Sequence, residues 1–324
     1  MIVRVSQAGP VDAAFEAPPS KSYTHRALIA GALAAGRSRI AGPLRAADTE
    51  LTARGLEQLG VPIEWLPGEV TVTGCNGAFP APGEVTIDCG NSGTTLRLLT
   101  SAALLARQAV VLTGSARMLE RPVGPLAGAL QALGGDVAFT GQPGFPPIRV
   151  SGSLRGGKAA IDGSVSSQFV SSVLMAAPYA DEDVELTLPA TVASRSYLDV
   201  TADVMLRFGA RFDRRGYEWF RVESGAPYRG RDYQIEGDYS SASYFFAIAA
   251  VCGGKVTVRG LNPASVQGDR RFLDALEAMG CRVAAAGDAV TVEQTGDLRG
   301  IDIDMSSSPD TVQTLAAVAA VAAS

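Results

Sequence analysis

The sequence predicts an α/β protein of two domains, built by repeating one unit of two helices and several strands. Three observations predict it. Four segments share an amphipathic helix, a glycine and a short apolar strand at near-constant spacing. A second, more apolar helix stands ahead of each. The 324 residues are enough for two hydrophobic cores.

The amphipathic copies are 51-LTARGLEQLGVPIEW-65, 125-PLAGALQALGGDVAF-139, 200-VTADVMLRFGARFDR-214 and 271-RFLDALEAMGCRVAA-285. Their glycines fall at 60, 134, 209 and 280, separated by 74, 75 and 71 residues. A glycine just past a helix takes the left-handed conformation that ends it without a Cβ penalty. The apolar copies begin at Ser22, Ser92, Ser164 and Tyr239, and a fifth, 307-SSPDTVQTLAAVAAVAAS-324, closes the chain. Each has Ser, Thr or Asp at or beside its start, as helix N-caps require. Strand-like runs lie between the helices: 109-AVVLT-113, 184-VELTL-188, 255-KVTVR-259 and 289-AVTVE-293. A period near 73 residues is too long for a solenoid of single hairpins. Four units and part of a fifth are present, so the reading expects a truncated chain that ends on an exposed apolar helix.

Composition excludes several classes. A net charge of −5 argues against a general nucleic-acid or membrane surface, so any anion site must be local. The N-terminus has no apolar signal region, and 315-LAAVAAVAA-323 is half the length of a membrane span. Cys75, Cys89, Cys252 and Cys281 form no CxxC pair, and His25 is the only histidine. Four buried thiols, a reduced cytoplasmic setting and no protein-ligated metal are the expectation.

Polar clusters mark the start of every apolar helix, where free N–H groups and the positive dipole end favour anions. The first holds Lys21, Ser22 and Arg26, and the second Asn91, Ser92, Gly93, Thr94 and Arg97. The third holds Ser164, Ser166, Ser167 and Gln168, and the fifth Asp310. Any one of them is explained as a cap, and Arg117, Glu120 and Arg121 as surface charge. Five phased copies suggest instead a ligand with several negative charges. Two motifs are decoys: 31-GALAAGRS-38 lacks the P-loop lysine, and 152-GSLRGGKA-159 has Ala159 where a hydroxyl would hold magnesium. There is no GxGxxG or GxSxG, and His25 reads as a helix-start residue rather than a catalytic base.

At 20-SKSYTHRAL-28, 90-GNSGTTLRLL-99, 117-RMLERPVGPL-126, 163-GSVSSQFVSSVLMAAP-178, 236-EGDYSSASYF-245, 267-QGDRRF-272 and 302-DIDMSSSPD-310 the sequence resembles the 3-phosphoshikimate 1-carboxyvinyltransferases, the EPSP synthase family. The resemblance implies two domains of three βαβαββ units each, with a cleft that closes on substrate. Residues 20–230 would form the first domain. Residues 1–19 and 231–324 would form a second, incomplete one, short by about one and a half units. It also implies a cytoplasmic monomer without metal or cofactor. The reaction would move the enolpyruvyl group of phosphoenolpyruvate to the 5-hydroxyl of shikimate 3-phosphate.

Carried over by motif, Ser166, Ser167 and Ser194 would take the shikimate-ring phosphate, and Ser22 and Arg26 its carboxylate. Gln168 would lie against the ring and reach the phosphoenolpyruvate phosphate, and Tyr197 would orient the substrate. Lys21, Gly93 and Arg121 would grip the phosphoenolpyruvate phosphate, with Asn91 shaping the loop. Asp310 would be the acid/base at the 5-hydroxyl, with Lys21 assisting in the proton transfers.

Pro19 and Ser196 depart from the family's usual glycine and proline. The family's last Lys-Glu pair, phosphoenolpyruvate-clamping arginines and further phosphate-binding lysine have no counterpart here. The phosphoenolpyruvate half-site is therefore the less complete one, and a non-catalytic chain that binds only shikimate 3-phosphate is the alternative. The related UDP-N-acetylglucosamine enolpyruvyl transferases carry SKN and a reactive cysteine, whereas 111-VLTGSARMLERP-122 has none.

Overall fold

The computed structural model describes residues 9–323; residues 1–8 and 324, part of the expected second domain, lie outside them. The described chain opens with β1 (Val11–Glu16) and then the first repeat: α1 (Lys21–Leu33), β2 (Ala35–Ala41), α2 (Ala47–Gln58), β3 (Ile63–Leu66) and β4 (Glu69–Cys75). The second repeat is β5 (Val85–Asp88), α3 (Gly93–Ala102), β6 (Val110–Thr113), α4 (Gly124–Ala132), β7 (Gly135–Phe139) and β8 (Ile148–Gly152). The third is β9 (Gly157–Ala160), α5 (Ser167–Ala176), β10 (Val184–Thr187), α6 (Ser196–Arg207), β11 (Phe212–Arg215) and β12 (Trp219–Val222). After β13 (Asp232–Gln234) come α7 (Tyr239–Cys252), β14 (Gly254–Arg259), α8 (Arg271–Ala278), β15 (Cys281–Ala286), β16 (Ala289–Gln294) and α9 (Val312–Ala319).

The four sheets share one topology. Their strand orders are β13-β2-β4-β3, β5-β6-β8-β7, β9-β10-β12-β11 and β1-β14-β16-β15. In each, the first pair is parallel and the next two pairs are antiparallel. A parallel pair needs a long crossover, which α3 and α5 supply within their own repeats. The first and fourth repeats instead borrow their leading strand from a distant part of the chain. Strand β13 pairs with β2 from Asp232↔Arg39 to Gln234↔Ala41, and β1 pairs with β14 from Val11↔Gly254 to Glu16↔Arg259.

Two compact units result. One is Lys21–Ile235; the other takes the chain up to Ser20 and from Glu236 onward. Residues 231–235, grouped by the sequence with the second domain, thus belong to the first unit, because backbone pairing with β2 holds β13 there. Its core is a single cluster in which α1, α3 and α5 are the most deeply covered helices. In α1 every residue from Tyr23 to Leu33 is buried. The other unit packs α7 and α8 on its sheet, with Phe246, Val256, Val258, Phe272 and Val292 in the core.

Local expectations are met where one element decides them. The stop glycines 60, 134, 209 and 280 have φ of 92°, 94°, 97° and 108°. Ser92 and Asp238 cap α3 and α7 by accepting from the Thr95 and Ser241 amides. The third apolar helix starts later than its expected Ser164: Ser166 is the cap, accepting from the Gln168 amide. The thiols differ from expectation. Cys89 and Cys281 are buried, but Cys75 and Cys252 are partly exposed because each is the last residue of its element. All four are free. The last apolar segment is only half uncovered, since α9 buries Leu315 and Val318 while Val312 and Val321 face outward.

A Cβ at residue 209 would meet nothing within 4 Å, so Gly209→Ala isolates the backbone penalty. It should destabilise the chain by about 1–2 kcal/mol in urea unfolding, with no change in the circular dichroism of the folded state.

Candidate active site

The crowded start of α1 is not a solvated face. His25 and Arg26 are wholly buried, and each reaches a different neighbouring helix. His25 Nδ1 lies 2.7 Å from Thr52 Oγ1 on α2, which is 2.7 Å from Thr95 Oγ1 on α3. Thr95 Oγ1 in turn lies 2.8 Å from Ser92 Oγ and donates to the Asp48 carbonyl. One chain of side chains therefore fastens the starts of α1, α2 and α3 together. Burial first, then the charges of Arg26 and Lys21, push the His25 pKa down to about 3. The imidazole is neutral at physiological pH, and its buried Nε2 has no hydrogen-bond partner. It is a helix-packing residue rather than the helix-start residue the sequence suggested.

Arg26 makes four hydrogen bonds inside the fold. Nε donates to Thr201 Oγ1 at 2.7 Å, Nη1 to the Ser22 carbonyl, and Nη2 to Ser171 Oγ and the Tyr197 carbonyl. Burial lowers its pKa to about 10, which leaves it charged. The fork expected to hold a ligand carboxylate thus ties α1 to α5 and α6.

Lys21, the first residue of α1, is half exposed and lies 3.4 Å from Asp48 Oδ2. Ser22 beside it is partly exposed, and Asn91 is exposed in the turn before α3. Gly93 opens α3, and a Cβ there would fall 2.8 Å from Arg121 Nη1, so any side chain at this position would push the guanidinium away. Arg97, one turn further along α3, donates through Nη1 to Ser166 Oγ at 3.2 Å and to Gln168 Oε1 at 3.1 Å. Gln168 Nε2 then donates to Thr94 Oγ1 at 3.0 Å. The Arg97 guanidinium stacks 5.1 Å above the Phe169 ring. Its pKa is lowered by burial and then by the neighbouring Arg121 charge.

Among the described residues neither arginine has an acidic partner within ion-pair distance. Two neighbouring guanidiniums beside two helix N-termini are an arrangement whose charge suits an anion.

The predicted residues thus group unevenly. Gly93, Arg121, Ser166 and Gln168 come together with Thr94 and Arg97, and Ser167 opens α5 next to them. Ser194 sits in the loop before α6 at φ 53°, a left-handed conformation uncommon for a non-glycine residue, and its carbonyl accepts from the Tyr197 amide. Asp310 belongs to the other unit, exposed in the 3₁₀ turn Pro309–Thr311 ahead of α9. Arg97 is a site residue that the motif by itself does not single out; its place four residues after Gly93 on one helix face is the available sequence signal. The His25–Thr52–Thr95 chain left no such signal, because 27 and 43 residues separate its members. Among the described residues no cluster of three His, Cys, Asp or Glu could hold a metal, and no helix is long and apolar enough to cross a membrane.

A family model described as EPSP synthase (3-phosphoshikimate 1-carboxyvinyltransferase) matches residues 5–324. A curated 3-phosphoshikimate 1-carboxyvinyltransferase of Methanoculleus marisnigri is 84% identical over all of this chain and 77% of its own length. That of Methanoregula boonei is 60% identical over 99% of this chain and 76% of its own. A solved EPSP synthase from Acinetobacter baumannii superposes with a TM-score of 0.79 at 26% identity, covering 96% of this chain and 71% of that one.

Because the folded His25 pKa lies below the unfolded value of 6.5, the unfolded state binds the extra proton between them. His25's share of stability is therefore full above pH 6.5 and lost as pH falls towards 3, by at most about 1.4 kcal/mol per pH unit. Urea unfolding at pH 7.5 and 5 should show a smaller acid-induced loss in His25→Gln than in the wild type.

Proposed function

Since the chain belongs to the EPSP synthase family, we infer that it transfers the enolpyruvyl group of phosphoenolpyruvate to the 5-hydroxyl of shikimate 3-phosphate. The products are 5-enolpyruvylshikimate 3-phosphate and phosphate, which makes the protein a transferase of the shikimate pathway towards chorismate and the aromatic amino acids. The relatives described above bear the name of this activity and not that of the UDP-N-acetylglucosamine enzymes.

The observation that carries the site reading is the pair of carboxylate-free guanidiniums, Arg97 and Arg121, gathered with Gly93, Ser166 and Gln168. The 5-oxygen adds to C2 of phosphoenolpyruvate while its C3 methylene gains a proton. The resulting tetrahedral adduct then loses phosphate as the methyl group gives a proton back. Holding both substrates at close range demands many fixed donors, and helix starts provide them without reorganisation.

In this reading Ser166, Ser167 and Ser194 take the ring phosphate. Ser22 takes the ring carboxylate, Tyr197 orients the substrate, and Gln168 lies against the ring and reaches the phosphoenolpyruvate phosphate. Lys21, Gly93 and Arg121 grip the phosphoenolpyruvate phosphate, with Asn91 in the loop. Asp310 is the acid/base at the 5-hydroxyl, and Lys21 assists. Arg26 is the assignment that changes most. With four of its hydrogen bonds going to Thr201, Ser171, Ser22 and Tyr197, it supports the carboxylate site by holding Ser22 and Tyr197 in place. We take the protein to act as a cytoplasmic monomer, which sedimentation at working concentration checks.

Calorimetric titration with shikimate 3-phosphate, with unphosphorylated shikimate as control, tests the reading. Saturable binding that requires the phosphate supports it, and a folded chain that binds neither ligand removes it. Arg121→Met should weaken phosphoenolpyruvate binding at least tenfold while leaving shikimate 3-phosphate affinity within about twofold. Asp310→Asn should cut phosphate release by about a hundredfold or more at unchanged shikimate 3-phosphate affinity; undiminished turnover would remove Asp310 from the chemistry.

A further inference from the structure

The function just described assigns Ser166 and Gln168 to the shikimate 3-phosphate half of the site but leaves open what holds them. Both side chains face a single nitrogen. Arg97 Nη1 donates to Ser166 Oγ at 3.2 Å and to Gln168 Oε1 at 3.1 Å. The consequence for Gln168 is chemical. Its amide has one acceptor end and one donor end, and an anion tolerates only the donor. With Oε1 taken by Arg97 and one N–H of Nε2 given to Thr94 Oγ1 at 3.0 Å, the amide has one orientation. The remaining N–H is then the end available to a ligand oxygen. Flipping the amide would set Nε2 against the guanidinium and Oε1 against Thr94, losing the charge-assisted bond.

The guanidinium is itself held. It leaves α3 one turn after Gly93 and its Cζ lies over the buried Phe169 ring of α5, 5.1 Å from its centre. Ser172 on α5 adds a second tie, its hydroxyl donating to the Arg97 carbonyl and lying 2.7 Å from Ser101 Oγ on α3. Among the described residues no carboxylate neutralises Arg97, and Arg121 stands close enough to repel it. A guanidinium kept in this place against repulsion, with two site residues on one of its nitrogens, has a function beyond packing.

We propose that Arg97 is a positioning residue for shikimate 3-phosphate, fixing the Gln168 amide and the Ser166 hydroxyl in the orientation that presents donors to the ligand. The proposal rests on the function inferred above. Arginine is needed rather than lysine, because only a planar guanidinium both stacks on Phe169 and directs N–H bonds in fixed directions.

The test is a double-mutant cycle read by calorimetric affinity for shikimate 3-phosphate, with thermal melting as the fold control. Arg97→Met keeps a stem over Phe169 and removes the donors. It should weaken binding about tenfold in the wild-type background and no more than about twofold when Gln168 is already Ala. Arg97→Lys keeps the charge and should still lose most of the affinity. A charge acting at a distance would instead be rescued by lysine and would add in full to Gln168→Ala. Full additivity, lysine rescue, or unchanged affinity in Arg97→Met each overturns the proposal. If Arg97→Met does not fold, Arg97→Lys with and without Gln168→Ala carries the same cycle. A wild-type chain that is folded yet fails to bind shikimate 3-phosphate overturns the inferred function, and this proposal with it. Normal wild-type binding with an additive cycle overturns only the proposal.

Discussion

A fully buried guanidinium without a carboxylate must be surrounded by oxygen acceptors, and Arg26 imposes that requirement on the whole helical layer of the larger unit. Its partners come from α1 itself, α5 and α6. The histidine beside it imposes a similar demand towards α2 and α3. Packing α1 any other way would strand polar groups in the core, at a cost of several kcal/mol. The two residues therefore make the arrangement of the helix starts specific, which apolar packing of Ala and Leu alone would leave loose.

That specificity matters because the helix starts are also where the ligand-directed groups stand. Ser92 caps α3 and ends the hydrogen-bonded chain from His25, while the next residue, Gly93, makes room for Arg121. Ser166 caps α5 and accepts from Arg97. The same short segments thus close the core on one side and present donors on the other. The chain carries a net charge of −5, yet among the described residues Arg97 and Arg121 have no acidic partner within ion-pair distance, whereas Arg39, Arg149, Arg214 and Arg221 are paired with carboxylates.

The repeat accounts for the scaffold but not for its closure. Each unit of roughly 73 residues folds to the same four-stranded sheet, yet two of the four sheets draw their leading strand from far along the chain. Strand β13 completes a sheet that begins at Ala35, and β1 completes one whose next strand starts at Gly254. These exchanges join the start and the later part of the chain within compact units. They also put the change from one unit to the other at Ser20–Lys21 and again at Ile235–Glu236.

By itself the sequence determined the helices, their stop glycines, the strand runs and the family, because each depends on neighbours within a dozen residues or on a contiguous motif. Gly60, Gly134, Gly209 and Gly280 had to adopt positive φ whatever surrounded them. The α/β class and the clustering of Gly93, Ser166 and Gln168 at helix starts followed from the same local signals. Only the tertiary structure decided that Arg26 turns inward, that His25 is neutral and buried, and that Arg97 holds Ser166 and Gln168. It also decided that residues 232–234 belong with β2. A donor meets its acceptor across gaps of 27, 69, 71 and 175 residues in these cases. Burial and partner choice at such separations are set by how helices pack, which no local pattern records.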